Sequence, residues 1–131
     1  MFLDASAIVA ILAREDGWEA IQKKLQAAGT LSVSPLSLWE SARALRRSYE
    51  MPLEEAERIV WSFAQVNQAQ SVAIDDEIAR EALRASRLFG KGHHKAKLNM
   101  GDCFAYACAK VLDVPLLCKG EDFPLTDIRL A

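Results

Sequence analysis

The chain has 131 residues, a formal net charge of -2 and three cysteines. That length suits one domain with a proper core, the charge argues against a generally basic nucleic-acid binder, and an odd number of thiols makes no paired disulfide framework. No stretch reaches the roughly 18 apolar residues of a membrane span, and the N-terminus is acidic where a signal peptide would be basic, so the expectation is a single domain over residues 1–131, cytoplasmic and without membrane contact.

In chain order, Met1-Phe2-Leu3 reads as a short buried strand ending in Asp4, with Ser6 as the N-cap of the next helix. Helices are expected over Ser6–Arg14 and Trp18–Ala28, the second stopped by Gly29. Thr30–Val33 leans towards β structure. Ser34-Pro35 then supplies an N-cap and a favourable first helical position. The helix from Pro35 to about Tyr49 carries an apolar stripe of Leu38, Ala42, Leu45 and Tyr49. Pro52 opens another, with Leu53, Ala56, Val60 and Phe63 on one face. Ser71–Ile74 is a third short strand, and Asp75 caps a helix to about Phe89. Gly90–Asn99 is a loop. Gly101–Leu112 is an alanine-rich helix with Phe104, Cys108, Val111 and Leu112 on its core side, and Pro115–Cys118 is the fourth strand. The tail is a turn plus irregular chain, with Asp127-Ile128 pairing briefly with a sheet edge. Short apolar strands separated by helices imply βα crossovers and a mostly parallel sheet covered on both faces. Strand order is not encoded in this pattern.

Four acidic positions stand out. Asp4 ends a strand, and in an open parallel sheet ligands bind beyond the carboxyl ends of the strands; the alternative is an acid closing a turn. Glu40 lies opposite the apolar stripe of its helix and shares a face with Arg43 and Arg47. It is open to an ion pair with Arg43 or to a capping box with Ser37. Asp102 stands in the first turn of the alanine-rich helix, where the cap Asn99 and the helix dipole would account for it fully. Glu121-Asp122 follows the last strand directly, as a charged turn or as a further acid at the sheet edge. Carboxylates gathered at one edge would repel and raise one another's pKa values. A divalent cation removes that cost, and an all-oxygen donor set selects Mg2+ or Mn2+ over zinc. Such a site suits phosphodiester hydrolysis.

These residues sit in blocks that resemble a known family. Asp4-Ala5-Ser6-Ala7 after an N-terminal strand, Trp39-Glu40 in a helix, Asn99-Met100-Gly101-Asp102-Cys103-Phe104-Ala105-Tyr106, and Leu117-Cys118-Lys119-Gly120-Glu121-Asp122-Phe123 ahead of Thr126-Asp127-Ile128 resemble the PIN-domain ribonucleases. More narrowly, they resemble the VapC toxins of type II toxin–antitoxin pairs, over the whole chain and in order. The resemblance implies a three-layer α/β/α domain with a short, mostly parallel central sheet. It also implies a Mg2+- or Mn2+-dependent endoribonuclease inhibited by a small cognate antitoxin, commonly dimeric. Its acidic residues carry over onto Asp4, Glu40 and Asp102, with Ser6 as a supporting residue. The fourth acid falls on Asp122, with Glu121 as the alternative, because many members show Asp or Asn where this chain has Glu121.

Two basic stretches interrupt the acidic balance. Arg43, Arg46 and Arg47 follow Glu40, and Arg84, Arg87, Lys91, Lys95 and Lys97 with His93 and His94 precede Asp102, with no acid in either run. Each abuts a candidate catalytic acid, as an RNA nuclease would require. Arg43, Arg47, Lys91, His93, His94, Lys95 and Lys97 are therefore RNA-binding candidates; the alternative is a solvated helix face and a mobile loop. Tyr106 either borders the cleft and stacks a base or belongs to the core. No serine–histidine or cysteine–histidine nucleophile pair and no glycine-rich phosphate loop is present. The second functional reading is a PIN-like module that binds RNA or protein without catalysis.

Overall fold

A computed structural model describes all 131 residues. Four two-residue strands, β1 (Phe2–Leu3), β2 (Ser32–Val33), β3 (Gln70–Ser71) and β4 (Leu116–Leu117), form one sheet in the order β3-β2-β1-β4. All neighbours are parallel, with Phe2 in register with Ser32 on one side and Leu116 on the other. The chain steps from β1 to β2 to β3 through α1 (Ala5–Ala13), α2 (Trp18–Ala27), α3 (Pro35–Tyr49) and α4 (Leu53–Val66). It then returns past β1 to β4 through α5 (Asp76–Phe89) and α6 (Met100–Val111). Right-handed crossovers that step in opposite directions lie on opposite faces of a sheet.

The alternation of the strands follows. Leu3, Val33 and Leu117 point to one side, into a core with Ile8, Ile21, Leu38, Leu45 and Val60 of α1–α4. Phe2 and Leu116 point to the other, against Ile78, Ala82, Tyr106 and Cys108 of α5 and α6. Successive strand residues face opposite ways, so even two-residue strands knit both layers. The result is the expected three-layer α/β/α architecture, with a sheet parallel throughout.

Several local expectations are corrected. The N-cap of α1 is Asp4, not Ser6: the Asp4 carboxylate accepts from the Ser6 amide at 2.9 Å. Ser34 does cap α3, accepting from the Ser37 amide at 3.1 Å, and this leaves no capping box for Glu40. Tyr49, placed in the apolar stripe of α3, is exposed and donates its hydroxyl to Glu15. The third strand is Gln70–Ser71, earlier than Ser71–Ile74, because Val33 and Ser71 close the register with β2. In α6 the buried face is Cys103 and Ala105–Ala109, while Leu112 at the C-cap is exposed. The small alanines let α6 approach the sheet and α5 together. Tyr106 is core: it is fully buried and its hydroxyl donates to Asp127. Finally, the tail pairs with β4 at Leu130 instead of Asp127-Ile128, with the Leu116 amide donating to Arg129 at 2.8 Å.

Candidate active site

The strand order reverses between β1 and β4, and in open α/β sheets ligands bind in the crevice at that switch point. A cleft of about 790 Å³ opens there, lined by Asp4, Ser6, Glu40, Asp102 and Lys119 among others. Each acid arrives by a separate element. Asp4 leaves the carboxyl end of β1, Glu40 projects from the second turn of α3 after β2, and Asp102 stands in the first turn of α6. Residues distant in sequence thus meet because three chain segments start at the same sheet edge.

Asp4 is buried, only 4% exposed. The amide and the hydroxyl of Ser6 both donate to its Oδ2. The same Ser6 Oγ accepts from the Lys119 amide at 2.9 Å, which ties the end of β1 to the end of β4. Burial raises the Asp4 carboxyl above its ordinary value, and the Ser6 donors partly offset this. Asp102 and Asn99 form a reciprocal capping box: the Asn99 amide donates to Asp102 Oδ2 at 2.8 Å and the Asp102 amide to Asn99 Oδ1 at 3.1 Å. The cap and the cleft therefore use one side chain. Burial, and then the charges of Asp4 and Asp122, push the Asp102 carboxyl up to about 6 against the pull of the Asn99 amide.

Glu40 makes neither of the local contacts open to it in sequence. No ion pair joins it to Arg43, whose guanidinium instead lies 5.6 Å from the centre of the Trp39 ring. Burial, then the charges of Asp4 and Asp102, raise its carboxyl to about 7. Its carboxylate rests against Gly101, where an added Cβ would overlap both oxygens. Gly101 thus leaves the space that the Glu40 carboxylate occupies, a role the Asn99-Met100-Gly101-Asp102 block did not reveal in sequence.

The remaining candidates divide. Arg43 and Arg47 line the same cleft, and with Arg46 they continue into an adjoining basic groove. Lys91, His93, His94, Lys95 and Lys97 do not line it; only Lys91 reaches the neighbouring apolar groove that shares Asn99 and Met100. The histidines have structural partners: His93 Nε2 is 2.9 Å from the Arg87 carbonyl, and His94 Nδ1 accepts from the Ala96 amide while its ring meets Phe89 edge-on. Glu121 and Asp122 are both exposed beyond the cleft lining, and of the two only Asp122 acts on Asp102 through its charge. Glu15 and Lys119 also line the cleft, where they pair at 2.7 Å. A glutamate just after a helix end and a lysine just after a strand carry no pattern that links them.

The donor set fits a hard divalent cation. Its atoms are oxygens, burial and then the charge of Asp4 raise the Glu40 and Asp102 carboxyls, and none is neutralised by an ion pair. The acids are not drawn into a closed three-ligand group; small hard cations keep several waters and take one or two carboxylates directly.

A family model described as PIN domain matches residues 1–128. A parallel α/β/α sandwich with acids at its switch point, matched along nearly its whole length, makes this chain a PIN-domain protein. The chain is 42% identical to a VapC ribonuclease of Rhizobium meliloti, with 97% of this chain and 98% of that protein covered. It is 38% identical to ribonuclease VapC30 of Mycobacterium tuberculosis, with 98% and 95% covered. Within the PIN domains, the chain belongs to the VapC family. The fold agrees: it superposes on VapC20 of Mycobacterium tuberculosis, a sarcin-ricin loop cleaving toxin, with a TM-score of 0.73 over 98% of each chain at 16% identity. A chain of a toxin–antitoxin complex from Klebsiella pneumoniae matches with a TM-score of 0.62 over 88% of this chain and 82% of that one, at 14% identity.

Proposed function

We propose that this protein is a metal-dependent endoribonuclease acting as the toxin of a VapBC-type pair. The observation that carries the reading is the meeting of Asp4, Glu40 and Asp102 in one cleft bordered by Arg43 and Arg47. Acids without cations suit many metal sites, and cations without acids suit many anion sites; the two side by side suit a phosphodiester and the ion that activates it.

Asp4 and Asp102 would hold Mg2+ or Mn2+, with Glu40 and Asp122 completing the set and Glu121 the alternative to Asp122. When bound, the ion supplies Lewis acidity and charge neutralisation at the phosphodiester. The protein does the rest. Ser6 fixes the rotamer of Asp4 through two donors. The Asn99 cap fixes Asp102. Glu40 has no ion-pair partner in the cleft, which leaves its Oε atoms free to orient a water. Arg43 and Arg47 hold phosphates of the RNA on the α3 side.

The names of the relatives and the toxin–antitoxin complex among the similar structures support a small cognate antitoxin as partner. A homodimer is part of the same proposal, as is a cytoplasmic location, since RNA as substrate suits it. The test is cleavage of RNA by purified protein with Mg2+ or Mn2+, followed by sequencing of RNA ends after brief induction in cells. Asp4→Asn should lower cleavage by at least about a hundredfold and relieve growth arrest. Intact RNA with both metals, or an Asp4→Asn protein as toxic as the parent, overturns the proposal and leaves the PIN-like binding module.

A further inference from the structure

We infer that Trp39 is a base-stacking platform that fixes one nucleobase of single-stranded RNA beside the acids, an assignment that rests on the ribonuclease reading above. Three aromatic side chains of this chain are strongly exposed: Trp39 at 54%, Tyr49 at 43% and Trp61 at 40%. Tyr49 is accounted for by its hydrogen bond to Glu15. Trp61 lies on α4 and lines no part of the acidic cleft. Trp39 alone among them lines that cleft, one residue before Glu40.

An exposed indole gains nothing from the core, and Trp39 sits outside both apolar clusters of the fold. It is not idle, however. The Arg43 guanidinium lies one helical turn on, 5.6 Å from the ring centre, and makes no ion pair. This contact holds an aromatic surface and a cation together at the lip of the cleft. Arg43 and Arg47 are shared between the acidic cleft and the groove of Arg43, Arg46, Arg47 and Glu50. The α3 surface therefore presents an indole, an acid and a run of guanidiniums without ion-pair partners. That sequence of groups matches a single strand whose base stacks on the ring while its phosphates follow the arginines. A duplex would bury its base faces in its own stack and leave the indole unused.

The assignment makes Trp39 a positioning residue that sets which phosphodiester is placed against the acids. The experiment measures binding of a short unstructured RNA carrying 2-aminopurine to the full-length protein in EDTA, where cleavage plays no part. In the parent protein, one labelled position should be quenched on binding. Trp39→Ala should abolish the quenching and weaken affinity about tenfold, while Trp39→Phe should restore it to within about threefold. Trp61→Ala should leave both unchanged. With Mn2+ added, Trp39→Ala should raise KM and blur the cut site more than it lowers kcat. Parent-level affinity and quenching in Trp39→Ala overturns the stacking role and leaves the nuclease reading in place. Failure of the parent protein to bind or cleave RNA overturns both.

Discussion

On the floor of the cleft, Asp4 and Asp102 are restrained: Ser6 donates twice to the first, and the Asn99 amide donates to the second. On its α3 wall, Glu40, Arg43 and Arg47 have no ion-pair partners, and Glu40 is located only by its contact with Gly101. The floor is tied by hydrogen bonds at a strand end and a helix cap; the wall carries free charge on one helix face. A metal site needs the first arrangement, because ligand geometry must be held to within a fraction of an ångström. A substrate of varied sequence suits the second, because long cationic side chains adjust to successive phosphates.

Closing the gap between wall and floor should have the largest effect. Gly101→Ala puts a Cβ 1.9 Å from a Glu40 carboxylate oxygen, the far end of a flexible side chain, so Glu40 must swing out of its place beside α6. Cleavage should fall at least about tenfold, while thermal unfolding should shift by less than about 1 kcal/mol. A variant that cleaves RNA like the parent would mean that the position of Glu40 does not matter to the site. Loosening the floor comes next. Ser6→Ala removes a donor from buried Asp4 and the acceptor of the Lys119 amide. It should cost about 1 kcal/mol, and calorimetric titration should show Mn2+ affinity falling about tenfold.

The smallest effect belongs to charge on the wall. The folded protein keeps the Glu40 proton up to about 7, whereas the unfolded chain releases it near 4.5. Between those values the native state binds more protons, so the stability of the metal-free protein falls as pH rises and is regained on acidification. Asp102 adds a share that ends near 6. Glu40→Gln should flatten the upper part of this slope, by about 1 kcal/mol or less after screening in a partly open cleft. An unchanged slope would remove Glu40 from the coupled set.

The legible parts of this molecule were those fixed by local chemistry. Asp4 at a strand end, Pro35 after Ser34 and the Asn99–Asp102 spacing each follow from one backbone rule, and the parallel architecture follows from strands alternating with helices. The basic run Lys91–Lys97 shows the limit. Its charge is plain in sequence, but Gly90 pairs with Leu98 and the His94 ring packs on Phe89, so the turn is held away from the cleft. Charge along a chain does not state a direction. Gly101 and the Glu15–Lys119 pair were illegible for the related reason that their meaning lies in another element. The exposure of Trp39 belongs to the same class: helical periodicity puts it on the polar face, but only the neighbouring acids give that face a use.

The bond from the Lys119 amide to Ser6 spans 113 residues, and β4, which sets it, is the last strand made. On a ribosome, the first strand emerges with its acid and its serine early and then waits. Until β4 docks, β1 keeps an open edge and Asp4 lacks half of the frame that holds it. An unfinished chain thus carries the chemical groups without the geometry, and for a protein that would cut RNA, that delay separates synthesis from activity.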